Sequence, residues 1–251
     1  MWPKKLLIKY SKVYIIIFKF STLAAWSGRI KLVKSLAPFF DNPNSPRADG
    51  WTPVHLAVRC GHHDVVKFIT TITTNPNKST RSGLTPIHIA ASRGNTEILK
   101  LLTKFADNPN AVHPSGMTTI HIAAAKGHTE IVKFLANISE NPNAPMLDGQ
   151  GWTPLHIAAS KGYTEIVKIL AKTTKIPNVP MHDGWTPLHL SIYYGHYEIV
   201  KFLSNFTANP MSQMVDGLTL FELAKLAGQM EIANYLALKY GMFKTEPIIV
   251  I

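Results

Sequence analysis

The sequence predicts an all-α solenoid of repeated helix-turn-helix units joined by hairpin loops, and three observations predict it. A Gly-x-Thr triplet recurs at Gly50, Gly83, Gly116, Gly151, Gly184 and Gly217, at steps of 33, 33, 35, 33 and 33 residues. Such a fixed internal period marks a repeat architecture. A second glycine follows each of these by eleven residues, at Gly61, Gly94, Gly127, Gly162, Gly195 and Gly228, and Gly28 lies 33 before Gly61. The 251-residue chain is 46% hydrophobic and 16% charged, which excludes a disordered polypeptide too polar to offset its ordering entropy.

Each element of the unit has a local cause. Thr52, Thr85, Thr118, Thr153 and Thr186 are placed to N-cap a first helix through their hydroxyls. Proline follows four of them, at the helical position where no amide donor is needed. This helix runs to the second glycine, which stops it in the left-handed conformation. Three residues on, Asp64, Glu97, Glu130, Glu165, Glu198 and Glu231 suit the positive start of a second helix. Apolar pairs such as Ile131-Val132 then Phe134-Leu135 recur there at helical spacing. Asn-Pro-Asn at 42–44, 75–77, 108–110 and 141–143 is expected to break this helix and start an extended loop. A single unit cannot bury its apolar face, so the units must stack.

The core segments read Trp-Thr-Pro-Val-His-Leu-Ala (51–57), Leu-Thr-Pro-Ile-His-Ile-Ala (84–90) and Trp-Thr-Pro-Leu-His-Ile-Ala (152–158). With their period, these resemble the ankyrin repeat. The resemblance implies an ankyrin-repeat domain over 18–240. It comprises a degenerate N-cap unit (18–48), full units at 49–81, 82–114, 115–147, 148–182 and 183–215, and a C-cap unit (216–240). A basic, apolar segment (1–17) precedes it and a tail (241–251) follows. The glycine usual at the end of the second helix is replaced by Thr73, Ala106, Ser139, Thr174 and Thr207, so Asn-Pro is expected to supply the stop. Unit five starts two residues late, around 148–151, which lengthens one hairpin. In the last unit Glu222 stands where the others have histidine, as suits a more polar, solvent-facing cap.

The formal charge of +11 is concentrated at one end. Residues 1–40 hold eight basic side chains and no acid, against 18 basic and 15 acidic ones in 41–251. A nucleic-acid partner is therefore not expected on charge grounds. The one cysteine, Cys60, excludes an intramolecular disulfide framework and multi-cysteine zinc sites, and suits a reducing cytoplasm or nucleus. No apolar run approaches the roughly 20 residues of a membrane span; the longest clean N-terminal run, 13–18, is closed by Lys19. The N-terminal segment reads as a degenerate capping helix, with peripheral contact to an anionic membrane as its alternative. The final Ile-Ile-Val-Ile (248–251) is expected to fold back on the last unit.

His55, His88, His121, His156 and His189 recur one per unit. Stacked neighbours about 10 Å apart cannot share a zinc ion at about 2.1 Å, so a hydrogen-bonded ladder between adjacent loops is expected. Motifs for phosphate binding, metal-assisted hydrolysis or an activated serine are not found, so no enzyme activity, cofactor or metal is expected. Lys34, Lys67, Lys100, Lys133, Lys168 and Lys201 form a ladder of solvated second-helix lysines.

The family's usual partner surface, the hairpins and first helices on the concave side, carries two further columns. After the hairpin glycines stand Trp51, Leu84, Met117, Trp152, Trp185 and Leu218, with Phe18 in register. Near the second glycines stand Arg59, Arg93, Lys126, Lys161 and the pair Tyr193-Tyr194, with Trp26 in register. Trp, Tyr, Met and Arg are hot-spot residues. The expected partner-binding set is Trp51, Arg59, Arg93, Met117, Lys126, Trp152, Lys161, Trp185, Tyr193 and Tyr194. The expected function is that of a monomeric, non-catalytic scaffold or adaptor for another, acidic protein. The alternative is recognition of an anionic ligand (nucleic acid, nucleotide or lipid headgroup) by the basic column and N-terminal segment.

Overall fold

Threonine caps open the first helices and left-handed glycines or short turns close them. The computed structural model describes residues 22–39, 42–207 and 217–241; the expectations for 1–17, Phe18 and 248–251 lie outside the described residues. The chain divides into two compact units, Met1–Pro114 and Ser115–Ile251. The first contains a helical segment at 22–26 and then α1 (Ile30–Leu36), which runs into a 3-10 turn (Ala37–Phe39). Helix pairs α2 (Pro53–Cys60) with α3 (His63–Ile72) and α4 (Pro86–Arg93) with α5 (Thr96–Thr103) follow. The second unit contains four pairs. These are α6 (Thr119–Lys126) with α7 (Thr129–Ile138), α8 (Pro154–Lys161) with α9 (Thr164–Ala171), α10 (Pro187–Tyr193) with α11 (Tyr197–Leu203), and α12 (Leu220–Leu226) with α13 (Met230–Lys239).

Within each unit, first helices pack on first helices and second on second, so equivalent residues fill equivalent places. The first helices bury Val54, Ala57 and Val58 in α2, and Leu155, Ala158 and Ala159 at the same positions of α8. The second helices bury Val65, Val66 and Ile69 in α3, and Ile166, Val167 and Leu170 in α9. Small residues on the first helices let their axes approach, while branched chains on the second fill the gap between pairs.

The hairpins are tied by short backbone bonds. The amide of Arg47 donates to the Trp51 carbonyl (2.7 Å), Thr80 to Leu84 (2.8 Å) and Met181 to Trp185 (2.8 Å), each closing a loop of the same length. In unit five Met146 donates to Trp152 (2.7 Å), two residues further on, which is the lengthened hairpin expected from the 35-residue step. Neighbouring hairpins also bond to each other, Arg81 to the Asp49 carbonyl and His182 to that of Gln150, both at 3.4 Å. Gly50 shows why glycine is needed there. Its φ is +86°, and a Cβ would lie 2.5 Å from the Arg81 amide nitrogen.

Asn-Pro-Asn does not stop the second helices as expected. α3 ends at Ile72, before Asn75, and α7 ends at Ile138, before Asn141. Thr73 and Ser139, the residues after the last helical ones, are already extended, so two residues separate each helix end from its Asn-Pro. The tripeptide instead makes a side-chain turn and a helix cap. The first asparagine's Oδ1 accepts the amide of the third, Asn42 from Asn44 (2.9 Å) and Asn75 from Asn77 (3.2 Å). The third then accepts a first-turn amide of the following first helix: Asn44 from Val54 (3.1 Å), Asn77 from Ile87 (3.2 Å) and Asn143 from Leu155 (3.0 Å). The first bond closes a local turn, and the second satisfies a donor that the helix start leaves open.

The lysine ladder is in part ion-paired: Lys100 lies 2.8 Å from Glu97 and Lys168 2.7 Å from Glu165, both on exposed faces where such pairs contribute little. Lys34 is exposed as well, and its Nζ lies 5.6 Å over the Phe68 ring of the next helix pair.

Replacing a capping threonine tests the local account. Thr153→Ala removes the oxygen that accepts the His156 amide at 3.3 Å and contacts Nδ1 of the same residue at 2.9 Å. We expect a loss of about 1 kcal/mol, the usual worth of such a cap, read as a lower urea midpoint at unchanged slope.

Candidate protein-binding surface

The surface rests on a rigid histidine framework. The backbone amides of Thr52, Thr118 and Thr153 donate to Nδ1 of His55, His121 and His156 at 3.1, 3.2 and 3.2 Å. An Nδ1 that accepts carries no proton, so Nε2 does, and it donates across to the next hairpin. The acceptors are the carbonyls of Leu84 (3.1 Å), Trp152 (3.1 Å) and Trp185 (3.3 Å). His88 departs from this register, donating to Ala111 at 3.0 Å with its ring edge-on to His113, 5.6 Å between centroids. The expected ladder is therefore present, and it serves a second purpose. Each histidine returns the threonine's cap, completing a capping box in which imidazole replaces the usual carboxylate or amide. Glu222 shows the equivalence in the last unit, where its carboxylate accepts the Thr219 amide and hydroxyl, both at 2.9 Å.

Burial sets the protonation state. His55, His121 and His156 are pulled down to about 4, because desolvation outweighs the favourable carbonyl contacts and the nearby Asp49, Asp148 and Asp183. His88 is lowered for the same reason. These rings are neutral at pH 7 and structural. Among the described residues no group of three or more His, Cys, Asp or Glu side chains could hold a metal.

A second row of inter-pair bonds was not read from the sequence. The residue after the second glycine reaches back to the preceding first helix: His62 Nε2 to the Trp26 carbonyl (2.9 Å), Asn95 Nδ2 to Val58 (3.0 Å) and His196 Nε2 to Ser160 (3.1 Å). Its sequence signal was the run of His and Asn at that fixed offset, which hydropathy does not weigh.

On this framework sit the candidate contact residues. Trp51 is half-buried, its ring 5.5 Å from that of His55, and the Arg59 guanidinium lies 5.6 Å over it. Trp152 leans on His156 at 6.2 Å and Trp185 on His189 at 6.4 Å. From Trp185 an aromatic chain continues to Tyr193 (5.5 Å), Tyr194 (5.1 Å) and His196 (6.4 Å). Tyr193 and Tyr194 are 49% and 54% exposed, a large aromatic area left to solvent. Met117 is half-buried on its hairpin, and Arg93, Lys126 and Lys161 are exposed in the last turns of α4, α6 and α8. Basic residues there also complement the negative helix end. The structure thus joins Trp51 with Arg59, and Trp185 with Tyr193 and Tyr194.

A sequence model for the family described as ankyrin repeats (3 copies) matches residues 22–111, 105–179 and 174–247. The paired helices, capped and stacked in sequence, are the architecture that this match implies. The chain belongs to the ankyrin-repeat family, whose members generally serve as protein–protein interaction modules. No curated protein matches it. Among the described residues no helix is long and apolar enough to cross a membrane.

Proposed function

We propose that the chain is a non-catalytic scaffold or adaptor that binds an acidic, partly apolar protein through its hairpins and the C-terminal ends of its first helices. The observation that carries this reading is the exposed Tyr193-Tyr194 pair continuing the Trp185 ring, together with exposed Arg59, Arg93, Lys126 and Lys161 at matching helix ends. Aromatic anchors and cationic steering groups on one element supply both the burial and the encounter that a protein interface needs. The protein acts as a monomer in the reducing cytoplasm or nucleus, where the exposed thiol of Cys60 stays reduced.

The test is capture of partners from native extract by the intact chain, beside two variants. Arg93→Glu with Lys126→Glu and Lys161→Glu slows association and removes its salt dependence. Trp152→Ala with Trp185→Ala speeds dissociation, each substitution costing on the order of 2 kcal/mol for a buried anchor. Far-ultraviolet circular dichroism separates binding from folding: Trp variants that lose helicity together with binding would assign the indoles to packing. Steep log-linear weakening with salt by the intact chain would favour a phosphate-bearing ligand instead.

A further inference from the structure

The outer side of the second helices in the first compact unit carries a row that the binding surface does not use. Phe39, Ile72 and Phe105 occupy the same position in three successive helix pairs, 33 residues apart, just where each second helix ends. They are 66%, 37% and 41% exposed, though in a soluble helix this solvent-facing position is expected to be polar. Ile72 ends α3, while Phe39 and Phe105 lie in the turns just past α1 and α5; these helices pack in sequence, α1 on α3 and α3 on α5, which sets the three positions in line. Phe68 and Leu101, one helical turn before Ile72 and Phe105, extend it as half-buried neighbours.

Cations line this row. Lys34, Lys67 and Lys104 lie within one or two turns of it, as does Lys100, which is paired with Glu97, and the Lys34 ammonium rests 5.6 Å over Phe68. The same alternation recurs in the second unit, where Ile138 is 45% and Phe206 46% exposed, with Lys133 and Lys201 five residues before each. Just upstream in sequence, residues 1–20 add Lys4, Lys5, Lys9, Lys12 and Lys19 among aromatic and aliphatic residues, without one acid.

We propose that this outer row docks the chain peripherally on an anionic lipid surface. Lysines at the surface meet acidic headgroups, and Phe39, Ile72 and Phe105 enter the boundary between headgroup and acyl chain. The charge sign and the one exposed apolar side chain per pair in this row select this partner. A protein groove would bury contiguous area, whereas a bilayer interface accepts separated insertions along a basic edge. Shallow insertion and electrostatic attraction are each weak, so reversible attachment needs both.

The test floats the full chain with phosphatidylcholine vesicles and with vesicles in which part of the lipid is phosphatidylserine. The chain should rise with the anionic vesicles alone and be released by salt. Lys34→Gln with Lys67→Gln and Lys100→Gln should lower the partition coefficient on the order of a hundredfold, about fivefold per lysine. Phe39→Ser with Ile72→Ser and Phe105→Ser should abolish flotation while circular dichroism stays unchanged, because all three side chains are already exposed. Arg93→Glu with Lys126→Glu, which alters the proposed protein-binding surface, should float at least half as well as the parent chain. Three results would overturn the proposal: no flotation of the parent chain; a triple-serine variant that floats as well as the parent, which would assign attachment to residues 1–20; or tighter binding of a soluble acidic amphipathic peptide at this row than of vesicles. None of these bears on partner capture by the hairpin surface, so the two readings fail separately.

Discussion

Acidification from pH 7 to pH 4 unfolds the second compact unit at a urea concentration that it withstands at neutral pH. His121 and His156 both belong to this unit, and burial pulls each from the ordinary 6.5 down to about 4. Between these values the unfolded chain takes up protons that the folded chain refuses. Stability is therefore fully present above about 6.5 and falls as the pH drops towards the folded value. Each ring contributes roughly 3 kcal/mol at the acid end, which is large beside the 5–15 kcal/mol of a typical domain. Protonation would also place a cation on the Nδ1 that accepts the Thr118 or Thr153 amide, so the capping box opens with the charge. The exposed Glu222, held low by the Thr219 amide, acts in the same direction, from the ordinary carboxylate value of 4.5 downwards. Urea titrations across this pH range provide the measurement. A His121→Gln variant should be less stable at pH 7 yet lose less on acidification. A midpoint independent of pH between 6.5 and 4 would show that the buried rings titrate normally.

The same histidines show how far the sequence could be read. Their period and a spacing too wide for a shared metal marked them as an inter-loop ladder, and His55, His88, His121 and His156 have carbonyl partners in it. Their reciprocal cap on threonine was not legible, because a capping box is recognised by Glu or Gln at its fourth position and imidazole hides it. The Asn-Pro-Asn loops were legible as punctuation only. Which amide an asparagine oxygen accepts depends on where the following hairpin returns the chain, and that return is a tertiary fact. The glycine, threonine and proline positions were the most legible, since each answers to its own backbone angles rather than to distant packing.

The candidate surface was less legible for a related reason. An apolar residue after a hairpin glycine reads alike whether it awaits a partner or covers its own helix. The structure gives the indoles both contexts, half-buried on a histidine ring and half-open to solvent. The exposed row of Phe39, Ile72 and Phe105 escaped notice because each lies past the last obvious core residue of its helix, where hydropathy alone suggests further core. Only fractional exposure separates the two.

Removing residues 217–251 makes the chain associate in proportion to its concentration. Helix α12 packs on α10 and α13 on α11, so the deletion uncovers apolar side chains that these contacts now bury. Leu223, Ala224, Ile232 and Leu236 form the buried side of the lost pair. Each leucine or isoleucine of α10 or α11 so uncovered costs about 1.5–3 kcal/mol in lost burial, and a solenoid end left apolar is a surface for the next copy. Polar contacts fix the orientation of the pair: the Lys239 ammonium donates to Ser204 Oγ (2.6 Å) and Asn205 Oδ1 (2.7 Å), and Tyr240 donates its hydroxyl to the Ser204 carbonyl (3.1 Å). These lie near solvent, so Lys239→Gln should shift the urea midpoint only slightly and leave the chain monomeric. Leu236→Ala, at a fully buried site, should cost 2–5 kcal/mol, about what such truncations remove from a packed core. Light scattering against concentration separates the cases. A truncated chain that stays monomeric and keeps the helicity of its remaining pairs would show that α12 and α13 cover nothing the rest of the unit needs covered, and that the exposed end of α10 and α11 is polar enough to stand alone.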